Sequence, residues 1–414
     1  MRSSPVWLIL AGFMVLLDLY VFQIIKTVSS GSHRTRSIIF TSYWAISIAA
    51  IVILFILPLL HLDNYSKGVR GTVFAIIIGL FLAKLIASVF FLVDDIRRGI
   101  QWLVGKVFFR NTEGEGMEEG KISRSIFLSW LGIAVGGGLF TSLVYGFSNK
   151  YNYKVKKISL NFPNLPASFK GIKIVQISDI HSGSFTNKAA VEKGIKKILD
   201  LKPDLILFTG DLVNNESGEM HDYMDAFNQL KAPMGVYSIL GNHDYGDYKS
   251  WASEQAKKEN LEWLKQIHAQ LGWRLLMDEN VTLERNDEQV ALIGIQNWSA
   301  LKRFPKYGNL EKAYKGTEHL PFKILMSHDP THWDAEVRPK YGDIDLMLAG
   351  HTHGMQFGVE IPGFRWSPVQ YVYKQWAGLY EEGKQKLYVN RGFGFIGYPG
   401  RVGILPEITF IELG

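Results

Sequence analysis

Two different hydrophobic patterns divide the chain. Up to about residue 150 the apolar positions come in four long unbroken runs, Val6–Ile25, Ile38–Leu60, Thr72–Val93 and Ser125–Phe147. Each is about 20 residues or more, enough to cross a hydrocarbon core of roughly 30 Å as a helix. The first run is too long for the apolar stretch of a signal peptide and no small-x-small cleavage site follows it, so it reads as a retained span. Beyond residue 150 the runs shorten to four to seven residues and alternate with stretches of helical spacing. The strands expected there are 172–178, 204–209, 235–240, 322–327 and 343–349, with a helix over 189–201. Residues 281–294 read as a hairpin turning near Asn286-Asp287. Short continuous apolar strands interleaved with helices imply a sheet covered on both faces. The organisation expected is a four-span helical unit over residues 1–150 and an α/β domain over 151–414.

Charge follows the same division. Residues 1–150 hold 14 Lys and Arg against 8 Asp and Glu, whereas residues 151–414 hold 31 of each, so the net charge of +6 belongs to the apolar part. A basic excess interleaved with apolar runs reads as membrane topology and disfavours a nucleic-acid surface. Nine basic residues near one membrane face against seven near the other assign no orientation. The absence of cysteine excludes disulfides, thiolate metal sites and a cysteine nucleophile.

Two charges fall within the spans, Asp18 and Lys84. They lie in spans that run the same way and are expected to pair, since an isolated charge at that depth costs at least about 2.5 kcal/mol. Gly132 and Gly136 in the fourth run permit close helix packing. Residues 96–110 place Ile96, Ile100, Leu103, Val104 and Val107 on one face, the pattern of an interfacial helix or of a continuing third span. Residues 113–120 read as a polar connector.

In the second half, each expected strand ends in chemistry. Asp179-Ile-His181 follows the first, Gly210-Asp211 the second, Gly241-Asn242-His243-Asp244 the third, His328-Asp-Pro the fourth and Gly350-His351-Thr-His353 the fifth. Five of the 11 histidines sit in these motifs. Open α/β sheets bind ligands at the carboxyl ends of their strands, and Asp, Asn and imidazole without thiolate suit hard-to-borderline divalent metals. A dimetal site bridged by Asp211 is the expectation, with Mn, Fe, Zn, Co and Ni all compatible.

This ordered set resembles the calcineurin-like metallophosphoesterase superfamily over about residues 170–411. The resemblance implies a sandwich of two mixed β-sheets flanked by helices. It implies one metal held by Asp179, His181, Asp211 and His353 and another by Asp211, Asn242, His328 and His351. It makes His243 the group facing the leaving-group oxygen; Asp244, next to it, is expected to orient that ring in preference to binding metal. No Arg follows Gly210-Asp211 closely, which disfavours a protein phosphatase. The ending 390–401, Asn-Arg-Gly-Phe-Gly-Phe-Ile-Gly-Tyr-Pro-Gly-Arg, resembles membrane-attached bacterial phosphodiesterases related to UDP-2,3-diacylglucosamine pyrophosphatases. Met355 departs from those relatives, which carry a second Gly there; its side chain is expected to narrow the metal rim or alter substrate fit.

Arg391 and Arg401 are candidate phosphate contacts, with surface positions as the alternative. The aromatics Phe364, Trp366, Tyr371, Tyr373, Trp376 and Tyr380 suit either a membrane-level surface or packing within the second sheet. The reading that results is a multi-pass protein of a bacterial inner or plasma membrane. Its expected partners are the lipid bilayer and an amphiphilic phosphodiester or pyrophosphate. The alternatives are hydrolysis of soluble nucleotides, or a non-catalytic sensor with a structural metal site.

Overall fold

The computed structural model describes residues 5–56, 67–108 and 124–414. It divides into two compact units, Met1–Tyr145 and Gly146–Gly414.

The first unit is helical: α1 Pro5–Val28, α2 His33–Ile56, α3 Lys67–Phe108 and α4 Arg124–Gly146, whose last residue opens the second unit. All four are long and apolar enough to cross a membrane. Asp18 of α1 and Lys84 of α3 form an ion pair at 2.6 Å. Ser47 of α2 donates to the same carboxylate oxygen at 3.0 Å and accepts from Lys84 Nζ at 2.7 Å, and Tyr43 donates to Asp18 at 3.1 Å. Three helices are thus tied by one buried polar knot, which satisfies both charges where lipid could not. Gly132 and Gly136 of α4 lie against the α3 carbonyls of Ala87 and Ala83, at distances that leave no room for a Cβ. Residues 96–108 are the unbroken last turns of α3 and do not form a separate interfacial helix; residues 109–110 and the connector at 113–120 lie outside the described residues.

The second unit contains two six-stranded sheets. Its strands are β1 Lys154–Leu160, β2 Lys173–Ile177, β3 Leu205–Phe208, β4 Val236–Ser238, β5 Arg274–Leu275, β6 Glu279–Arg285, β7 Glu288–Gly294, β8 Lys323–Met326, β9 Leu346–Ala349, β10 Val359–Ile361, β11 Phe364–Trp366, β12 Gly378–Glu382, β13 Gln385–Val389 and β14 Glu407–Leu413. One sheet runs β1-β14-β2-β3-β4-β5 and the other β12-β13-β9-β8-β7-β6, while β10 and β11 stand apart as a hairpin. Both sheets are mixed: β14 opposes β2, and β6 and β12 oppose their neighbours. Asn286 and Asp287 at the β6–β7 turn both have positive φ, 49° and 64°, the signature of a type I′ turn.

Alternation explains the continuous apolar strands. Ile174, Leu205 and Leu207 point into the core between the sheets, together with Ile324, Met326 and Leu348. Val175, Ile206 and Phe208 point the other way, under α5 Lys188–Asp200, α6 Met224–Phe227 and α7 Glu254–Gln270. Each strand feeds two cores and cannot afford a polar face.

Candidate metal centre

The carboxyl ends of β2, β3 and β4 in one sheet and of β8 and β9 in the other bring the predicted polar residues together; His181, Asp211, Asn242, His243, His351 and His353 line a cleft of about 350 Å³, and Asp179 and His328 are fully buried. The delivery is strained. Asp179, His181, Asp211, His351 and His353 all have positive φ, between 49° and 69°. Non-glycine residues hold that conformation only where surrounding bonds overdetermine it. Here the bonds are visible: Asp179 N donates to Gly210 O at 2.9 Å, His181 N to Asp211 O at 3.1 Å, and Gly394 N to Asp179 O at 2.8 Å. Glycine is required at 241 and 350 because a Cβ there would collide with the carboxylates of Asp211 and Asp179 respectively.

Two donor clusters result. Asp179, His181 and His353 converge within 4.8 Å, as do Asp211, His328 and His351. One oxygen, Asp211 Oδ2, faces both: it lies 3.5 Å from His181 Nε2 and 3.2 Å from His328 Nε2. Asn242 Oδ1 lies 2.7 Å from His351 Nδ1 and joins the second cluster. His181 Nε2 and His353 Nε2 approach to 3.0 Å. His328 Nε2 is buried with no hydrogen-bond partner among the described residues, although it faces Asp211, so its lone pair or proton is aimed at the space between ligands. Its other nitrogen, Nδ1, is fixed by Thr209 O at 2.7 Å. Fixing one imidazole nitrogen on a carbonyl so that the other is presented to a cation is how metal-binding histidines are oriented.

The electrostatics agree with a cation site. Burial lowers His181, His351 and His353, which favours the neutral imidazoles a metal requires. Asp179 and Asp211 are buried, which opposes ionisation, but the surrounding histidines prevail and hold both below the ordinary carboxylate range. Burial also acts to lower His328, yet Asp211 and Asp179 push it up to about 10. A proton on that ring supplies the positive charge that two buried carboxylates demand, and two divalent cations would supply it better. The residues present therefore fit a dimetal centre.

His243 stands at the rim. Its backbone N–H donates to Asp211 Oδ1 at 2.8 Å, and its Nδ1 lies 2.8 Å from Asn214 O. That carbonyl accepts the Nδ1 proton and leaves Nε2 as the working nitrogen. Asp244 does not reach the ring. Its buried carboxylate accepts backbone N–H groups of Asp211, Leu212, Val213 and Gly241 at 2.8–3.2 Å. Burial and Asp211 push it up to about 7 against those bonds. The expected orienting role thus belongs to Asn214, and Asp244 clips the β3 and β4 loops together.

Arg391 and Arg401 are neither surface residues nor cleft residues. Both are buried, at 3% and 0% exposure. Arg391 pairs with Glu407 and, at 2.9 Å, with Glu360. Arg401 donates to the carbonyls of His353, Arg391, Gly392 and Gly394, bracing the loop that carries a ligand. The cation that does line the cleft is Arg303, which the sequence reading missed. It extends over Phe304 and lies 3.4 Å from Tyr373 OH, which is itself 2.8 Å from His351 Nε2. Its signal was faint, a Lys-Arg pair in the loop after β7 with no motif around it. Phe304, Met355, Pro368, Val369, Val372 and Ile396 form an apolar wall beside the ligands. Met355 does carry its side chain at the cleft, with positive φ (55°).

Comparison with known proteins agrees with this geometry. The calcineurin-like phosphoesterase family matches residues 172–355, and the family described as "Probable Calcineurin-like phosphoesterase, transmembrane domain" matches residues 1–150. The metallophosphoesterase YkuE of Bacillus subtilis, itself uncharacterized, is 30% identical over 300 residues, 71% of this chain and 98% of the relative. The chain belongs to the calcineurin-like metallophosphoesterases. A transmembrane protein with a metallophosphoesterase domain from Danio rerio is also 30% identical, over 65% of this chain. The chain spans 60% of that relative's length. A protein named UDP-2,3-diacylglucosamine pyrophosphatase LpxG, from Chlamydia muridarum, is 26% identical over 58% of this chain and 83% of its own length. The chain is thus a multi-pass membrane metallophosphoesterase.

Proposed function

We propose that the second unit hydrolyses a phosphodiester or pyrophosphate bond in an amphiphilic, lipid-linked substrate. The observation that carries this reading is the single oxygen of Asp211 facing two donor clusters, with His243 tied to the other oxygen of the same carboxylate. Asp179, His181, Asp211 and His353 would hold one divalent ion, and Asp211, Asn242, His328 and His351 the other. When bound, such a pair supplies charge stabilisation for the phosphoryl oxygens and a water of lowered pKa.

The protein's own part follows from its geometry. A water oxygen bonds to phosphorus as the bond to the leaving oxygen breaks; His243, in its doubly protonated form, gives its Nε2 proton to that oxygen and is restored by the proton the water loses, a contribution of about 10²–10⁴-fold. Arg303 stands where a second phosphate or the free oxygens of a diester would lie, and guanidinium suits that contact. The apolar wall supports an apolar substituent beside the phosphate. Four spans hold the unit to a bilayer, where such substrates reside. A UDP-diacylated sugar or a phospholipid headgroup fits this description, the former in keeping with the LpxG likeness.

The test is hydrolysis of bis(p-nitrophenyl) phosphate and of p-nitrophenyl phosphate by the detergent-purified chain, stripped of metal and then given Mn²⁺. Metal-dependent cleavage of the diester is expected, followed by turnover of UDP-diacylglucosamine or a phospholipid. Cleavage of soluble nucleotides with none of lipidic esters would overturn the substrate class.

A further inference from the structure

The β10–β11 hairpin is built inside out. In this two-stranded ribbon Val359 pairs with Trp366 and Ile361 with Phe364, so these four residues share one face, and Glu360 and Arg365 share the other. The polar face is turned toward the protein. Glu360 accepts from Lys156 of β1 at 3.2 Å and from Arg391 at 2.9 Å. The Arg365 guanidinium lies 5.0 Å from the centre of the Trp376 ring. The apolar face is turned outward, with Ile361 58% and Phe364 54% exposed, and Tyr371 just beyond the hairpin 77% exposed. Ordinary hairpins on soluble domains bury the apolar face and solvate the polar one. Tyr373 and Trp376, from the same aromatic stretch, are buried, so within that stretch the most exposed side chains are those of Phe364 and Tyr371.

The hairpin is rooted, within the second unit, close to the residue at which the fourth helix ends. The fourth span ends at Gly146, whose carbonyl accepts from Arg401 N at 2.9 Å. The next residue, Val402, bridges to Phe357 and accepts from Gly358 N at 2.9 Å. β10 starts at the following residue, Val359. The root of the hairpin is therefore joined, through residues 401–402 and 357–358, to Gly146, the last residue of the fourth helix. We infer that the apolar face of β10–β11, with Tyr371, dips into the headgroup–acyl boundary of the bilayer in which the spans lie. Its polar face needs no water, because it is satisfied by the protein. Val372, 52% exposed, and Met355 carry the apolar surface on to the metal cleft, so a lipid-linked phosphoester could pass along it without crossing water. That second clause rests on the phosphoesterase reading; the contact with the bilayer does not.

The absence of cysteine makes the test direct. Full-length Ile361→Cys, Phe364→Cys and Trp263→Cys variants are labelled with an environment-sensitive fluorophore and reconstituted into phosphatidylcholine nanodiscs with or without doxyl-labelled lipid. Trp263 is an exposed position on α7, which packs on β5 at the sheet edge opposite β1. Quenching of about twofold or more is expected at 361 and 364 and none at 263. Equal quenching at all three positions, or none at 361 and 364, overturns the inference. In the second arm, an Ile361→Ser/Phe364→Ser double variant is expected to raise KM about tenfold for a diester dispersed in the bilayer and to leave kcat/KM for soluble bis(p-nitrophenyl) phosphate unchanged. An equal loss on both substrates overturns the delivery clause. If the native chain cleaves neither substrate, the phosphoesterase reading fails, and the quenching pattern still decides the membrane contact.

Discussion

At the scale of single residues the centre is a set of strained backbones held by glycines and carbonyls, and the side chains that would do chemistry are few. His243 is tied at Nδ1 by the Asn214 carbonyl. His243→Ala should lower kcat for the diester about 10²–10⁴-fold with two metals still bound by elemental analysis; loss of metal in parallel would make the residue a ligand support instead. Arg303 touches no ligand among the candidates, so Arg303→Ala should raise KM for a charged diester about tenfold and move kcat less. An unchanged KM would remove it from the substrate's path. Met355 holds a positive φ that costs a side chain roughly 1 kcal/mol. Met355→Gly should therefore raise thermal stability slightly while weakening turnover of an amphiphilic diester relative to a small one. Away from the cleft, His268 is buried against Phe208 and Trp273, and neither ring nitrogen finds a partner among the described residues. Burial lowers it to about 3, against about 6.5 in the unfolded chain. Its folded pKa is depressed, so the unfolded state binds the extra proton. The stability cost is absent above pH 6.5 and grows by up to about 1.4 kcal/mol per pH unit as pH falls from 6.5 toward 3. Urea denaturation of His268→Phe across that window should show a shallower decline; an identical slope would mean the ring is not the titrating group.

At the scale of elements, what was legible depended on whether the signal was local. The strands that end in Asp179, Asp211, Asn242, His328 and His353 were readable because burial on both faces leaves an apolar run with no competing period. The β6–β7 hairpin was readable because Asn-Asp suits positive φ. β1, Lys-Val-Lys-Lys-Ile-Ser-Leu, was not. It is an edge strand whose partner, β14, comes from the far end of the chain, and its lysines resemble a connector. The inverted β10–β11 hairpin was equally silent, since alternation shows a ribbon has two faces and not which one faces out. Asp18 and Lys84 were readable as a pair because lipid leaves charges no alternative. The structure adds Ser47 and Tyr43, which no spacing rule could bring from α2. This knot predicts a coupling. Asp18→Leu alone leaves a buried ammonium and should destabilise the bundle by roughly 3 kcal/mol or more, while Asp18→Leu/Lys84→Leu should recover much of that loss. Thermal unfolding in detergent, followed by helical circular dichroism, measures both. Losses that simply add would show that the two charges do not act on each other.

At the scale of the whole molecule, two compact units are joined in one chain, and among the described residues the donor clusters lie in the second. That unit buries Asp179 and Asp211 side by side, and together they push His328 up to about 10, a pull for positive charge that divalent ions would answer more fully. Divalent ions bind the folded arrangement and have no such cluster to bind in the unfolded chain, so their binding free energy adds to the stability of that unit alone. At a free metal concentration about 100 times Kd, one site contributes about 2.7 kcal/mol. For a domain of this size that is a shift on the order of 5–10 °C. Scanning calorimetry of the detergent-solubilised chain should show a chelator-sensitive transition that recovers when Mn²⁺ is restored. A second transition, belonging to the helical unit, should stay in place. The Asp211→Asn variant should move the sensitive transition less on adding metal, because one bridging charge is gone from both clusters. Were the chelator to move both transitions together, or neither, metal binding would not be confined to the α/β unit and the two-cluster reading of Asp211 would fall with it.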